Sequence, residues 1–134
     1  DARYNSTCAD SILGMLHRTL DAVDDEAGTV VYRFLPQAWM RNPAGVLHGG
    51  LIATMFDNAM GMTACACADG VLTPSVELQV SYLDPVTAEQ PVFVRVTLRR
   101  AGKTLLRLTA ELWQGERMDK PAAVATGTFF SGRG

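Results

Sequence analysis

The chain has 134 residues, of which 48% are hydrophobic and 19% are charged. This length and balance are typical of one soluble domain with a single hydrophobic core, and they leave no room for a second domain. The formal net charge is -2 and the basic residues are scattered along the chain, so its electrostatics do not favour a nucleic-acid partner.

The three cysteines, Cys8, Cys65 and Cys67, are odd in number, and the last two stand two positions apart in a predicted helix. Residues with this spacing point to different helix faces, which argues against a disulfide framework or a metal pair. His17 is the only histidine besides His48, so a histidine-based metal site would lack ligands. We therefore predict no metal and no separate cofactor, and we expect the cysteines to be packing residues in a reducing compartment, the cytoplasm.

The N-terminal part of the chain predicts a short helix and then a strand. Residues 1–10 lack the basic and apolar regions of a secretory signal. Apolar residues recur at helical spacing in residues 11–20, and an acidic turn then leads to Gly28. Residues 29–35 are β-branched and aromatic and end at Pro36, which predicts the first strand.

A long apolar stretch, residues 49–68, predicts the main helix. Its residues 51–68 approach the roughly 20 residues that a helix needs to span a bilayer. Asp57 would lie near the middle of that span at a cost of about 2.5 to 3.5 kcal/mol, and the small residues around it would contribute little transfer energy. A buried helix therefore fits better than a membrane span, and no membrane partner is predicted.

Four further runs are typical of strands: residues 75–83, 92–100, 104–114 and 122–131. Polar and apolar residues alternate in the first and third of them, so one face of the sheet should be exposed and the other packed. Asp69-Gly70 and Ala101-Gly102 supply turns. Because the connections are short, we expect an antiparallel meander with one apolar helix to cover.

The segment His48-Gly49-Gly50 opens the predicted helix, and Asp57 follows nine residues after the histidine. Glycines at a helix N-terminus leave bare backbone N–H groups that can hydrogen-bond a polarised oxygen. Asp57 is the one acid in the apolar stretch, and it could activate a water or attack a carbonyl itself. Ser75 does not lie in a nucleophile elbow, which argues against a Ser-His-Asp triad.

The chain resembles the hotdog-fold acyl-CoA thioesterases, and most closely their phenylacetate-pathway branch. The resemblance rests on Asn-Pro-Ala-Gly-Val-Leu-His-Gly-Gly at residues 42–50, on Asp57-Asn58, on Ser-Val-Glu-Leu at residues 75–78 and on Ala-Gly-Lys-Thr at residues 101–104. It covers about residues 28–131 and implies an α+β hotdog fold, with a curved antiparallel sheet wrapped around a long central helix. We accordingly divide the chain into an N-terminal helical segment, residues 1–27, and the hotdog domain, residues 28–134.

The resemblance also implies catalytic roles for individual residues. Asp57 is expected to be the catalytic carboxylate, and the backbone N–H of Gly49 is expected to bind the thioester oxygen. Asn42 and Ser75 are expected to orient water or substrate, although Asn42 before Pro43 is also typical of a turn. His48 is expected to support the site rather than to act as a base.

Substrate binding is expected at a second set of residues: Gly50, Met55, Phe56, Met60, Arg99 and Lys103. The apolar members of this set are candidates to line the acyl pocket, yet residues of this type at helix spacing are usually core. Arg99 and Lys103 could meet the phosphates of CoA, although charges on exposed strands more often serve solubility.

The spacing of Gly49 and Asp57 predicts a shared site. Eight residues of helix separate them by about 12 Å along the axis, so one carbonyl cannot contact both. An antiparallel helix from a second subunit could bring its Asp57 beside the first subunit's Gly49. We therefore expect a homodimer with active sites between subunits, and the resemblance implies that dimers often pair again into a homotetramer.

The predicted function is hydrolysis of an acyl-CoA thioester to a free acid and CoA, with acyl-CoA as substrate and CoA as part of it. The alternative is a non-catalytic hotdog module that binds or senses acyl-CoA, although binding alone needs no carboxylate near the thioester. An acyl-CoA hydratase would require an Asp and His pair that this helix does not present.

Overall fold

The computed structural model describes residues 11–131, so the predictions for residues 1–10, including the packing role of Cys8, lie outside the described residues. The elements in chain order are α1 (Ile12–Met15), β1 (Thr19–Asp24), β2 (Thr29–Phe34), a 3₁₀ turn (Ala38–Met40), α2 (Gly49–Cys67), β3 (Ser75–Tyr82), β4 (Val92–Ala101), β5 (Leu105–Gln114) and β6 (Ala123–Phe130). Over this part of the chain the strands form one antiparallel sheet in the order β1-β2-β4-β5-β6-β3. The curved sheet wraps around α2, which packs against β2 to β6.

The predicted long helix and five predicted strands are confirmed, each within one residue of its expected bounds. Both predicted turns are also present. Asp69 and Gly70 adopt positive φ angles of 57° and 84° where the chain leaves α2. In the hairpin between β4 and β5, the Gly102 N–H donates to the Leu105 carbonyl oxygen at 2.8 Å.

The helix predicted over residues 11–20 is wrong in its extent. Only Ile12–Met15 is helical, and His17, which falls within the predicted helix, lies in a turn with a φ of 50°. From Thr19 the chain is a strand that pairs with β2, with a register shift at residues 20–22. Pairing with the β2 edge satisfies backbone groups that a short isolated helix could not protect, so tertiary contacts override the local helical pattern.

The predicted meander is only partly correct. Strands β4, β5 and β6 are neighbours in chain order, but β3 pairs with β6 and occupies the far edge of the sheet. In chain order, α2 lies between β2 and β3, and it crosses the face of the sheet. As a result, β3 begins near the sheet edge that is far from β2. Nine residues, 83–91, then connect β3 back to β4 over three strand spacings, about 14 Å, which such a connection spans easily.

One face of α2 is buried against the sheet. Its buried residues recur at three- and four-residue intervals: Ile52, Met55, Phe56, Ala59, Met60, Thr63 and Ala64. The hydroxyl group of Thr63 donates to the Ala59 carbonyl oxygen at 2.9 Å and lies 3.2 Å from the hydroxyl of Tyr32, so these buried polar groups are satisfied. No helix within residues 11–131 is long and apolar enough to cross a membrane.

The strands present alternate side chains to α2. On β5, Leu106, Leu108, Ala110 and Leu112 are buried, as the alternation predicted, and Trp113 near the end of the strand is buried as well. On β6, Gly127 lies directly under the helix, and a Cβ atom there would come within 2.8 Å of the Met60 Cε atom. The absence of a side chain at Gly127 therefore lets α2 approach the sheet closely.

Two leucines of β5 provide a matched test of this packing. Leu108 is 1% exposed and Leu105 is 43% exposed. We expect Leu108→Ala to lower the free energy of unfolding by about 2 to 5 kcal/mol, because it removes buried methyl groups and leaves a cavity. Leu105→Ala should cost about 1 kcal/mol or less. Urea titrations of both variants measure the two costs, and equal losses would contradict the assigned sheet faces.

Candidate active site

The loop before α2 is held by backbone hydrogen bonds on both sides. The His48 N–H donates to the Met40 carbonyl oxygen at 2.8 Å, and the Leu47 N–H donates to the Val86 carbonyl oxygen at 2.7 Å. An isolated bridge also joins Arg41 and Leu47. These contacts fix the position and direction in which α2 begins.

Asn42 forms the turn within this loop. Its side-chain Oδ1 accepts hydrogen bonds from the N–H groups of Ala44 and Val46, at 2.9 and 3.3 Å. The turn role that its sequence context suggested is therefore present. The amide Nδ2 is the group that this side chain retains for donation to a ligand.

His48 is the N-cap of α2. Its Nδ1 accepts a hydrogen bond from the Gly50 N–H at 3.2 Å, and its carbonyl oxygen accepts from Leu51 and Ile52. The Gly49 N–H, in contrast, has no hydrogen-bond acceptor among residues 11–131. It therefore lies at the positive end of the helix with its bonding capacity open to a ligand.

Gly49 borders an open groove of about 300 Å³, here called the Gly49 groove. Its walls are mainly apolar and include Leu47, Ile52, Tyr82 and Val86. The hydroxyl group of Tyr82 donates to the Gly49 carbonyl oxygen at 2.6 Å, and its ring would lie 3.3 Å from a Cβ atom at Gly49. Tyr82 thus holds the start of the helix against the end of β3, a role that the alternation in β3 alone did not reveal.

Asp57 is exposed two helical turns further along α2. It borders a different groove of about 320 Å³, here called the Asp57 groove, together with Arg18, Cys65 and Leu72. One chain therefore presents Gly49 and Asp57 in separate grooves, as expected from the length of helix between them.

Arg18 is a residue that the sequence patterns did not single out. Its Nη1 donates to the Asn58 Oδ1 at 3.0 Å, and its guanidinium group lies 5.4 Å from the centre of the Tyr32 ring. Burial lowers the pKa of Arg18, and the interaction with Tyr32 opposes this shift. Arg18 thus places a buried cation in the lining of the Asp57 groove, at a point where the sequence predicted a helix.

The remaining candidates are dispersed over the fold. Ser75 is exposed at the start of β3, at the opposite end of that strand from Tyr82. Arg99 donates from its Nε to the Thr109 Oγ1 at 2.7 Å on the outer face of the sheet. Lys103 is exposed in the turn between β4 and β5.

The predicted acyl-pocket residues of α2 lie in the core. Met55, Phe56 and Met60 are each 0% exposed and belong to the helix face that packs on the sheet. Their placement favours the packing interpretation over direct contact with substrate. Gly50 is exposed, but its N–H is already bonded to His48.

Cys65 and Cys67 are half-buried. Within residues 11–131, no group of three or more His, Cys, Asp or Glu side chains is arranged to hold a metal ion.

Comparison with known proteins places this geometry in a family. Human acyl-coenzyme A thioesterase 13 is 28% identical over 85 residues, which are 63% of this chain and 61% of that protein. A phenylacetic acid degradation-related protein from Ralstonia eutropha JMP134 is 28% identical, with a TM-score of 0.83 over 96% of both chains. The Escherichia coli PaaI protein, from the phenylacetic acid degradation operon, shares the fold at 21% identity, with a TM-score of 0.75 over 87% of this chain and 85% of its own.

These similarities confirm the hotdog fold and the expected resemblance to the phenylacetate-pathway branch. The matched region spans about 61% of the length of the human relative. The thioesterase superfamily model matches residues 44–120, which include the start of α2, Asp57 and the strands β3 to β5. The chain therefore belongs to the thioesterase superfamily.

Proposed function

We propose that this chain hydrolyses acyl-CoA thioesters, with the Gly49 N–H polarising the thioester carbonyl and Asp57 as general base or nucleophile. The observation that carries the proposal is the open N–H of Gly49, which lies at the capped start of α2 beside an apolar groove. A backbone donor held in this way can stabilise the oxyanion that forms when a carbonyl carbon becomes tetrahedral. The superfamily relationship supplies the class of substrate.

In the favoured route, Asp57 accepts a proton from a water molecule, and the resulting hydroxide adds to the thioester carbon. The electron pair of the carbonyl π bond moves to the oxygen, and this oxygen accepts a hydrogen bond from the Gly49 N–H. The C–S bond then breaks, and the CoA sulfur leaves with the electron pair and takes up a proton. In the other route, the Asp57 carboxylate attacks the carbonyl to give an anhydride, which water hydrolyses.

The proposed site requires two chains. The helix keeps Gly49 and Asp57 about 12 Å apart along its axis, so each Gly49 needs an Asp57 from a second copy. The strand β3 offers the edge for that contact, since β6 is its only strand partner within residues 11–131. Leu72 and Val76, near this edge, are 80% and 61% exposed, an apolar surface that a partner would cover.

The length of β3 supports the same assembly. Ser75 and Tyr82 are the two ends of β3 and lie about 23 Å apart at roughly 3.3 Å per residue. If two copies of β3 pair antiparallel about a twofold axis, Ser75 of one chain approaches Tyr82 of the other, and therefore its Gly49. This arrangement would bring together Gly49 from one chain and both Asp57 and Ser75 from its partner. The homodimer, and the homotetramer that we expect from pairing of dimers, are part of the proposal.

The supporting residues are assigned as follows. His48 caps the helix that carries Gly49, and Asn42 shapes the preceding turn while its Nδ2 remains available to water or substrate. Ser75 orients substrate from the partner chain, and Arg99 and Lys103 stay predicted contacts for the CoA phosphates. The cytoplasmic location is likewise a prediction from cysteine usage.

The alternative function is a module that binds or senses acyl-CoA without turnover. It would use the same apolar groove and the same Gly49 donor, but it would not depend on a carboxylate near the thioester. Release of free thiol from acyl-CoA separates the two functions, because a sensor binds thioesters saturably and releases none.

We expect Asp57→Asn to lower kcat by about a hundredfold or more, because the amide cannot accept the proton or act as the nucleophile. Asp21→Asn, an identical change at an exposed position of β1, serves as the control and should retain activity. Thiol release from aryl and fatty acyl-CoA thioesters measures kcat for both variants. Normal turnover in Asp57→Asn would exclude the proposed role of this carboxylate.

Mixing two inactive variants tests the shared site. Gly49→Pro removes the backbone donor at the first helical position, where proline is tolerated, and His48 already has the extended conformation that precedes proline. After subunit exchange with Asp57→Asn, half of the dimers should carry one intact site, so about a quarter of wild-type activity should return.

Gly49→Ala is the matched control for this experiment, since it adds the same Cβ atom near Tyr82 but keeps the N–H. It should be more active than Gly49→Pro. A mixture that is no more active than its two parents would show that the two residues do not act across a subunit boundary.

Substitutions of His48 separate capping from chemistry. His48→Ala should destabilise the protein by about 0.5 to 2 kcal/mol, because the helix loses its cap. His48→Asn keeps a side-chain acceptor for the Gly50 N–H, so stability and most activity should return. Denaturant titration and kcat are measured together for both variants. A His48→Asn protein that is stable but inactive would assign the imidazole a chemical role.

A further inference from the structure

A second pocket adjoins the Gly49 groove. It has a volume of about 440 Å³ and lies between residues 84–90 and the turn that joins β5 to β6, and we call it the turn pocket. Asp84 and Pro85 line both the turn pocket and the Gly49 groove, so the two spaces are neighbours along one surface. A molecule bound at Gly49 can therefore extend into the turn pocket without crossing the sheet.

Hydrogen bonds join the two loops that form the floor of the turn pocket. The side chain of Gln114 accepts a hydrogen bond from the Thr87 N–H at 2.9 Å and donates to the carbonyl oxygens of Thr87 and Gln90 at 2.9 and 3.1 Å. The N–H groups of Leu83 and Asp84 both donate to the Ala122 carbonyl oxygen, at 2.8 and 3.0 Å. The loop after β3 and the turn before β6 are thus fixed against each other before any ligand binds.

The turn pocket carries two cations, Arg117 and Lys120. The Lys120 N–H donates to the Arg117 carbonyl oxygen at 3.0 Å, which keeps both side chains on one tight turn. Both residues are exposed, and neither forms a salt bridge with another residue in the described range 11–131. Asp84 is the acid that lines the pocket, so the lining has two basic groups for one acidic group.

We propose that the turn pocket binds the phosphate groups of the thioester's nucleotide portion, with Arg117 and Lys120 as their ligands. This inference rests on the proposed function, which places the thioester at Gly49 in the adjoining groove. In an acyl-CoA, a flexible arm joins the thioester to the part that carries the phosphates. A cationic pocket next to the thioester groove matches this order of groups along the molecule. Guanidinium and ammonium groups bind phosphate oxygens through charge-assisted hydrogen bonds.

The position of the turn pocket distinguishes its residues from the phosphate contacts predicted by sequence. Gly49 and the turn pocket belong to the same chain and the same end of the sheet. Tyr82, which bonds Gly49, pairs there with Ala123, and the preceding residue Ala122 lines the pocket. Lys103 lies in the β4–β5 turn at the other end of β5. Arg117 and Lys120 therefore reach the substrate from the chain that supplies Gly49.

The test compares two substrates with the same acyl group, the CoA thioester and the N-acetylcysteamine thioester, which lacks phosphates. For the double variant Arg117→Ala/Lys120→Ala, we expect KM for the CoA thioester to rise roughly tenfold, with kcat little changed. Kinetic constants for the truncated thioester should stay at wild-type values. Added salt should raise KM for the CoA thioester in the wild type more than in the variant.

The control is Glu116→Ala/Asp119→Ala, which alters neighbouring positions of the same turn outside the pocket lining. It should not raise KM for the CoA thioester. The proposal is overturned if the basic double variant leaves that KM unchanged, or if it raises KM equally for both substrates. A wild-type protein that hydrolyses neither thioester would instead overturn the proposed function on which this inference rests.

Discussion

The packing of one face of α2 against the sheet is the contact on which the rest of the structure depends. Residues from Ile52 to Ala64 at three- and four-residue intervals are buried, and this fixes the rotation of the helix about its axis. Asp57 lies outside that series and must point away from the sheet. The exposure of the candidate carboxylate is therefore a consequence of core packing. Gly127 contributes because a Cβ atom there would come within 2.8 Å of the Met60 Cε atom, so the end of that side chain would have to shift.

The same rigid helix is the reason that the proposed site would need two chains. A helix cannot bend so that its N-terminus and a residue eight positions later meet at one carbonyl. The fold instead leaves the start of α2 and the Asp57 groove open on the surface. It also leaves β3 as an exposed edge strand of the sheet. In the proposed dimer, assembly and catalysis would be linked by geometry, because the surfaces that a second copy would cover are those that carry the candidate residues.

The segment before β2 has a larger role than its sequence suggested. By adding β1 to the sheet, it brings Arg18 into contact with Asn58 on α2 and over the ring of Tyr32. Burial of this cation loses solvation free energy, and the hydrogen bond to Asn58 and the aromatic ring of Tyr32 partly offset that loss. Arg18 therefore connects the N-terminal segment to the helix next to Asp57, and it adds positive charge to the Asp57 groove.

The sequence by itself determined the long apolar helix, five of the strands, the turns and the identity of the candidate residues. These features depend on local periodicity, on glycine positions and on the resemblance of short motifs, all of which are readable along the chain. The sequence did not predict β1, the position of β3 beside β6, or the contacts of Arg18 and Tyr82. Each of these depends on strand edges or side chains that are far apart in the chain, so local pattern carries no signal for them.

Tertiary structure also supplies contacts for residues whose interpretation the sequence left open. Met55, Phe56 and Met60 are of residue types that could line an acyl pocket or pack in a core. Their contact with the sheet places them in the core. His48 and Asn42 have side chains suited both to chemistry and to capping or turns, and the observed bonds place them in the cap and the turn. The sequence thus determined which chemical groups are present. The folded chain decided which of these groups are hydrogen-bonded within the protein and which remain open to a ligand. This difference depends on distances between elements rather than on order along the chain.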